Sequence, residues 1–293
     1  MTDFFKDYHP LVNSLYFASV ILITMFTSHP ILQIIGFTGS VIYLRIAKGN
    51  ESATRTIVGC FVTFLLIVLL NPLVNHQGVT ILFYLSNGNP ITLESIIFGL
   101  SAGLTFVTAI LWFASHNVVM TSDKLMYIYG KITPSLALVF SMSLRFVPLF
   151  KRRLGEIQFA RSGIVSKTKK RGFIGKLKES LAIFSAFVSW ILESSVETAD
   201  SMRSRGFGLG KRTSFSLYKF TKRDATCLIY IFVLDILLFW MAKNRLLKMV
   251  YYPAIKIAKF QMITYIGLVL YFLLCLLPSL VCLWEELRWK YFR

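Results

Sequence analysis

The chain has 293 residues, of which 55% are hydrophobic and only 16% are charged, yet its formal net charge is +18. A soluble domain would carry roughly a quarter charged residues. Apolar bulk with segregated positive charge is typical of a membrane protein with basic cytoplasmic loops. Strong basicity also suits nucleic-acid binding, but the chain has several apolar runs and no nucleic-acid-binding motif, so we expect no nucleic-acid partner.

Six apolar stretches reach or approach the length of about 20 residues that crosses a bilayer. They are Leu11–Phe26, Ile31–Leu44, Ile57–Leu73, Leu93–Ala114, Ala225–Ala242 and Met262–Trp284. The second stretch is short, and we expect a tight turn between it and the first. No small-residue cleavage site follows the first stretch, which is therefore expected to stay in the chain. The predicted fold class is an all-α polytopic membrane protein with about six transmembrane helices.

The four cysteines each lie inside an apolar run, and none shows CxxC spacing. This pattern predicts neither a metal site nor a disulfide framework. We interpret them as small apolar core residues.

The distribution of lysine and arginine predicts orientation, because cytoplasmic loops are enriched in both residues. Arg45, Lys48 and Arg55 place the connection after the second stretch in the cytoplasm, and residues 56–122 contain no lysine or arginine. The connection 71–92 is therefore expected outside. We predict a multi-pass protein of the bacterial inner membrane with both termini in the cytoplasm.

One long basic segment separates the fourth stretch from the fifth. Residues 115–223 hold 20 lysines and arginines against 6 acidic residues, a net charge of +14. We therefore divide the chain into N-terminal transmembrane helices (1–114), a cytoplasmic or interfacial module (115–223) and C-terminal transmembrane helices (224–293).

Two apolar runs inside the basic segment look like spans by hydropathy. Ile132–Phe150 and Leu181–Leu192 both have basic flanks, and the second, at about 12 residues, is below spanning length. We interpret both as long amphipathic helices at the membrane interface. Pro134 suits the start of the first helix, whereas Pro148 is expected to bend or interrupt it.

Five basic residues do not fit this arrangement. The connection between the fifth and sixth stretches, which six crossings place outside, contains Lys243, Arg245, Lys248, Lys256 and Lys259. Either this loop is an exception to the positive-inside pattern, or the last two stretches form a hairpin that does not cross the membrane.

Each of the two amphipathic helices ends with a small residue, an arginine and another small residue. These residues are Ala160, Arg161 and Ser162 in the first helix and Ser204, Arg205 and Gly206 in the second. Gly163 and either Gly206 or Gly208 are expected to end the helices. Arginine at a helix C-terminus projects five donors, and small neighbours let a partner approach. Two such helix ends are suited to docking into acidic grooves on another protein. The alternative interpretation is that each end is an ordinary helix cap with a solvated arginine.

These motifs, the run Ser141–Pro148 and the layout of almost the whole chain resemble the transmembrane T component of energy-coupling factor (ECF) transporters, the EcfT/CbiQ-like family. The similarity includes Asn71-Pro72-Leu73 and the His-Pro pairs at 9–10 and 29–30. ECF transporters import vitamins or transition-metal ions such as cobalt and nickel with energy from ATP. Family motifs usually read Ala-Arg-Gly or Ala-Arg-Ser, and Ser204 stands here in place of the alanine.

The resemblance implies a non-catalytic scaffold that binds two ABC-type ATPase subunits and a substrate-binding membrane subunit, the S component. It implies that two crossed coupling helices dock into the ATPases through Arg161 and Arg205, with the four small neighbours packed around them. ATP is bound by the partners, so no cofactor is expected on this chain. An apolar stripe is expected to face the substrate-binding subunit or the lipid, or to pack one coupling helix on the other; it comprises Leu181, Phe184, Phe187, Val188 and Ile191.

Two other classes of function are a membrane enzyme and a self-contained transporter. A membrane enzyme is unsupported, because the four histidines are scattered, Glu285-Glu286-Leu287-Arg288 lacks a histidine partner, and no Walker A sequence is present. We therefore expect no catalytic residue and no metal ligand. A self-contained transporter would need its own intramembrane site. Asp235 is the one acidic residue deep inside a predicted span. The alternative interpretation is a buried carboxylate bonded to a neighbouring helix or to a partner subunit.

Overall fold

A computed structural model describes residues 3–84, 88–164, 172–209, 218–244, 247, 249–253, 256–257 and 262–291. The chain divides into two compact units, of which the first comprises Met1–Leu125 with Tyr218–Arg293 and the second comprises Met126–Leu217. The predicted N-terminal and C-terminal transmembrane parts thus belong to a single unit. The second unit is shorter at both ends than the predicted module 115–223.

The described residues are predominantly helical, as predicted, with nine α-helices and two short hairpins. The first unit contains the 3₁₀ turn Phe4–Asp7 and the helices α1 (Pro10–Phe26), α2 (Pro30–Lys48), α3 (Asn50–Val74), α4 (Leu93–Val119), α8 (Lys222–Lys243) and α9 (Met262–Tyr291). Two-stranded hairpins are formed by β1 (Ile81–Tyr84) with β2 (Pro90–Thr92) and by β3 (Met249–Val250) with β4 (Lys256–Ile257). Helix α5 (Ser122–Ile132) runs across the boundary, and the second unit contains α6 (Pro134–Ile164) and α7 (Phe173–Ser204).

Among the described residues, six helices are long and apolar enough to cross a membrane, which is typical of a multi-pass membrane protein. They are α2, α3, α4, α7, α8 and α9, whereas the apolar α1 is shorter at 17 residues. We expected the run Leu181–Leu192 to be too short to span a membrane. This length argument is wrong. The run belongs to the 32-residue helix α7, because helical periodicity continues through the polar residues on both sides of it.

The core of the first unit is an aromatic cluster that joins the N-terminal 3₁₀ turn to three helices. The ring of Phe5 lies edge-on to Tyr16, with 5.2 Å between ring centroids, and to Tyr43, with 6.2 Å. Trp112 of α4 stacks on Tyr43 at 6.3 Å. All four side chains are fully buried. Large aromatic rings in edge-to-face and stacked contacts contribute about 0.5–1.5 kcal/mol per pair beyond their buried area, so this cluster fixes the N-terminal segment against α1, α2 and α4.

Close packing between α2 and α9 depends on a glycine. A Cβ atom on Gly39 would lie 2.9 Å from Cβ of Cys275 and 3.4 Å from its carbonyl oxygen. Neither atom can move without moving the backbone of α9, so only glycine permits this approach. Cys275 is fully buried and reduced, which agrees with its interpretation as a small core residue.

One end of the first unit is closed by the segment between α8 and α9. The hydroxyl of Tyr251 donates to the carbonyl oxygen of Ser28 at 2.8 Å, in the connection between α1 and α2. The amide of Asn75, just after α3, donates to the hydroxyl of Tyr252 at 2.8 Å. Three helix connections therefore meet at this end. The connection that carries the unexpected basic residues lies at the same end as the connection 71–92.

The opposite end of the first unit contains Asp3 and the last turns of α9. A carboxylate oxygen of Asp3 accepts from the hydroxyl of Tyr43 at 3.2 Å, near the end of α2. Arg223, at the start of α8, forms an ion pair with Glu285 near the end of α9 at 3.2 Å. The six helices of this unit therefore alternate in direction between two ends. Helix α8 starts at one end of the unit and leads to Tyr251 at the other, which favours a crossing over a hairpin that stays on one side.

We expect cysteines placed at the two ends to be labelled from opposite sides of the membrane. Val79→Cys and Lys243→Cys lie at the Tyr251 end, whereas Lys290→Cys lies at the Asp3 end, and all three positions are exposed. A membrane-impermeant maleimide applied to intact cells should label the first two variants alike and leave the third unlabelled until the cells are opened. The four native cysteines are buried and give the background. Labelling of Lys243→Cys together with Lys290→Cys would contradict the alternating arrangement.

Candidate functional site

Helix α6 starts where the sequence predicts but runs further than expected. Pro134 is its first residue, a position at which the missing N–H costs nothing. Pro148 was expected to bend or interrupt the helix, yet the helix continues through it to Ile164. Proline is tolerated there when the surroundings hold the helix, although the carbonyl four residues earlier loses its intrahelical donor. Gly163 also lies inside the helix, so the prediction that it ends the helix is wrong.

Helix α7 ends at a glycine cap, as predicted. The N–H of Gly206 donates to the carbonyl of Arg203 at 3.0 Å, and the N–H of Phe207 donates to the carbonyl of Met202 at 3.0 Å. This pair of bonds is the Schellman motif, which requires a residue with positive φ. Gly206 supplies it with φ +81. Arg205 is the C-cap residue of α7 and is exposed.

The two long helices contact each other near their midpoints. The ring of Phe150 lies edge-on to Phe187, with 5.7 Å between ring centroids, and edge-on to Trp190, with 6.2 Å. The guanidinium of Arg153 lies 5.2 Å from the centroid of the Trp190 ring, a cation–π contact. Contact at the middle of both helices is the arrangement expected of helices that cross. Sequence reasoning missed all three contacting pairs, and their signal was the spacing of Phe187 and Trp190 by one helical turn.

Arg161 lies on the partly shielded face of α6. The half-buried positions of this helix recur at steps of three and four residues, and they include Phe146, Phe150, Ile157 and Arg161. Nε of Arg161 is buried and makes no hydrogen bond within the described part of the chain. Arg161 therefore differs from the freely projecting arginine that the sequence predicts. It lies about three helical turns beyond Phe150.

The serine hydroxyls beside the two arginines form hydrogen bonds to backbone carbonyls of their own helices. The hydroxyl of Ser162 donates to the carbonyl of Phe159 at 2.7 Å, and the hydroxyl of Ser204 donates to the carbonyl of Ser201 at 2.9 Å. Such bonds inside the last turn hold the hydroxyls against the backbone. Ala160, Ser162 and Ser204 are exposed, so each arginine is flanked by small, accessible residues.

The predicted contact stripe on α7 is exposed toward its N-terminal end and half-buried near the middle of the helix. Phe187, Val188 and Ile191 are half-buried, and Phe187 packs on Phe150 of α6. Leu181 and Phe184 are 59% and 61% exposed. The helix-packing interpretation therefore holds for Phe187. The two exposed residues belong to a longer apolar stripe at helical spacing, which also includes Ile174, Leu177, Leu192 and Val196.

The charge balance of α6 leaves Arg161 uncompensated. The only acidic residue of this helix is Glu156. Its carboxylate pairs with Arg153 at 2.9 Å and with Arg152 at 3.0 Å. The hydrogen bonds from Arg153 and Arg152 lower the pKa of the Glu156 carboxyl. Exposed pairs contribute little to stability, but these two engage the one carboxylate on the helix.

The residues that a membrane enzyme would use have structural contacts. Among the described residues no group of three or more His, Cys, Asp or Glu side chains is placed to hold a metal ion. Nδ1 of His9 accepts from the first turn of α1, at the N–H of Leu11. Glu285 pairs with Arg223, and Glu286 lies 3.8 Å from Lys290 on the same helix.

Asp235 of α8 forms a hydrogen bond to the neighbouring helix α1. One carboxylate oxygen, Oδ2, accepts a short hydrogen bond from the hydroxyl of Ser19 in α1, whereas Oδ1 is buried with no partner in the described part of the chain. The alternative of a carboxylate bonded to a neighbouring helix is therefore the observed one. A cavity of about 280 Å³ elsewhere in the unit, between α2 and α4, is lined by uncharged residues that include Gln33, Ser101 and Tyr251.

Comparison with known proteins finds no family model that matches the chain and no curated protein that is significantly similar to it.

We expect the contact at Phe150 to determine the angle between α6 and α7. Phe150→Ala removes the ring that touches Phe187 and Trp190, which we expect to cost about 1–2 kcal/mol because the side chain is only half-buried. Distances between spin labels at Gln158→Cys and Ser201→Cys should become broadly distributed. Phe159→Ala is the matched control, since that ring is 82% exposed on the same helix. An unchanged distribution in Phe150→Ala would show that other contacts fix the helix pair.

Proposed function

We propose that this chain is the transmembrane coupling subunit, the T component, of an ATP-driven ECF importer. In this role it connects two ABC-type ATPase subunits to a membrane subunit that binds a vitamin or a transition-metal ion. One observation carries the proposal. Both small-Arg-small motifs lie in the C-terminal part of long helices that contact each other at their midpoints, in a compact unit separate from the other helices.

Arg161 supports this function through its unsatisfied donor. A buried N–H group without an acceptor costs about 1–3 kcal/mol, and Nε of Arg161 is such a group. A carboxylate in an ATPase groove would supply the acceptor, because guanidinium and carboxylate match in bidentate geometry. The nearest acidic residue of the helix is already paired with Arg152 and Arg153, so it does not compete.

Arg205 supports the same function by a different geometry. The Schellman motif satisfies the last carbonyls of α7 and fixes the backbone at the point where the arginine projects. Gly206 has no side chain, so a partner surface can approach the arginine closely. The positive charge of Arg205 stands at the negative end of the helix dipole, which stabilises the cap itself by about 0.3–1 kcal/mol.

The midpoint contact provides a mechanism for coupling. When ATP binding closes the two ATPases, the docked ends of α6 and α7 change their separation. Two helices in contact at Phe150 and Phe187 convert this change into a rotation about the contact, and their other halves move in turn. The exposed stripe that includes Leu181 and Phe184 is the surface offered to the substrate-binding subunit. The chain itself carries out no catalytic step, and the partners bind ATP.

In the proposed complex the chain lies in the bacterial cell membrane with both termini in the cytoplasm. Asp3 and the last turns of α9 share one end of the first unit, which meets one requirement of this orientation. The arginine motifs belong to the segment with net charge +14, which the positive-inside pattern assigns to the cytoplasm, where the ATPases are. The basic residues at 243–259 are then an exception to that pattern.

Charge reversal at the two arginines should prevent assembly with the ATPases. Arg161→Glu and Arg205→Glu each place a carboxylate against an acidic groove, which should weaken docking by about 2–5 kcal/mol. The measurement is co-purification of the tagged chain with candidate ATPases encoded by neighbouring genes. Lys176→Glu is the matched control, because it changes the charge equally at the opposite, N-terminal end of α7.

If the double reversal co-purifies with the ATPases as well as the wild type does, the docking assignment is wrong. If the purified chain alone binds a labelled vitamin or Co²⁺ tightly, a self-contained transporter replaces the scaffold as the better interpretation. We expect neither outcome, because the cavity between α2 and α4 is lined by uncharged residues and Asp235 is bonded to Ser19.

A further inference from the structure

The second unit is joined to the first at two points of the chain, 125/126 and 217/218. Residues of the first unit lie directly beside both points. They are Lys124, just before the first junction, and residues 218–224, just after the second. Both contact the same short N-terminal segment, although about 100 residues of chain separate them.

Lys124 holds the N-terminal segment from the first junction. Its ammonium donates to the backbone carbonyl of Lys6, and the residue is only 4% exposed. Burial, with a smaller contribution from the charge of Lys6, lowers the pKa of Lys124 to about 8, against the attraction of Asp7 and Asp3. Lysine is almost never buried without a partner, so this contact is specific rather than incidental.

Asp224 holds the same segment from the second junction. Its Oδ1 accepts from the backbone N–H of His9 at 3.0 Å, while its Oδ2 accepts from the N–H of Thr221 at 2.9 Å. The second bond belongs to a capping box, which starts α8. One buried carboxylate thus fixes the first turn of α8 and the residue before α1 together.

Arg223 adds a third contact on the same segment. Its guanidinium lies 4.4 Å from the centroid of the Tyr8 ring, and its NH1 pairs with Glu285 of α9. Tyr8 and Glu285 are buried, at 5% and 7% exposure. The arginine therefore joins the second junction to the N-terminal segment and to α9 at once.

We propose that residues 3–9 form a clamp that fixes the two parts of the first unit that lead into the second, so that these parts act as a rigid base for coupling. The N-terminal clamp comprises Lys6, Tyr8 and His9 with their partners Lys124, Arg223 and Asp224. Lys124 and Arg223 are positioning residues for coupling. This inference rests on the proposed function. If α6 and α7 move at their docked ends, they can move a partner subunit only when the first unit holds its own side of the connections in place.

The geometry distinguishes the clamp from general packing. Phe5 anchors the segment in the aromatic core, whereas the next four residues turn backbone groups and the Tyr8 ring toward the junctions. All three partner residues are charged, and each points to a residue of the segment. Apolar side chains would serve packing alone at lower desolvation cost.

The test compares Lys124→Met and Arg223→Met with Lys222→Met. The control removes an exposed positive charge beside Arg223 that takes no part in the clamp. The full chain, its ATPases and its substrate-binding subunit are reconstituted in proteoliposomes. Uptake is measured with a panel of labelled B vitamins, Co²⁺ and Ni²⁺, and is divided by ATP hydrolysed. Hydrogen exchange of the backbone amides of residues 4–9 is measured on the same variants.

Both clamp variants should still assemble and hydrolyse ATP, but uptake per ATP should fall about fivefold or more, the range of ordinary coupling effects. Amide exchange in residues 4–9 should become about tenfold faster. Lys222→Met should match the wild type in both measurements. Lys124→Arg and Arg223→Lys, which keep the charge, should retain most of the coupling and show that each variant fails for lack of the contact rather than of the fold.

Three outcomes would overturn the clamp. Unchanged exchange in both methionine variants means that these contacts do not hold the segment. Faster exchange with unchanged uptake per ATP means that the clamp is structural only, and it leaves the proposed function intact. Equal loss in Lys222→Met means that the effect is one of general charge. Failure of the wild-type chain to bind ATPases would instead reject the proposed function and the positioning role with it, while the exchange measurement would still report on the contacts.

Discussion

The burial of Phe5 is the interaction on which the arrangement of the first unit depends. A 3₁₀ turn of four residues has little stability of its own, because short helices do not repay the entropy of ordering them. The ring of Phe5, fully buried against Tyr16 and Tyr43, supplies the missing free energy. Once this ring is in place, the backbone of Lys6 and His9 can receive Lys124 and Asp224. Local structure, packing and the junctions with the second unit thus follow from one aromatic contact.

The sequence predicted the helices well where apolar residues are continuous and less well where they are not. All six apolar stretches lie in helices, and the turn at residues 27–29 is as short as expected. The run Leu181–Leu192 was underestimated, because hydropathy measures composition, whereas the helix extends through polar residues at the same spacing. Gly206 ends a helix and Gly163 does not. The difference is that a Schellman motif needs a positive φ, which no property of an isolated glycine reveals.

Contacts between distant residues could not be predicted from periodicity. His9 and Asp224 are 215 residues apart, and each looks ordinary in its own neighbourhood. The basic connection after α8 raised two interpretations that charge alone could not separate. The hydrogen bond from Tyr251 to Ser28 places this connection at the same end of the unit as the connection between α1 and α2, which favours a crossing. A positive-inside bias is a statistical preference of short loops, and a loop fixed by specific hydrogen bonds can depart from it.

The two arginine motifs are alike in sequence but unlike in structure, and this difference bears on how two ATPases would be recognised. Arg205 is the C-cap residue directly after its helix and is exposed, whereas Arg161 is followed by three more described helical residues and is half-buried. A groove that receives Arg205 meets a rigid cap and a glycine. A groove that receives Arg161 must also accommodate the helical turn beyond it. In the proposed complex the two arginines would therefore present different shapes around the same charge, so that complementary charge would give both contacts their attraction and the surrounding shape would distinguish the two ATPase grooves.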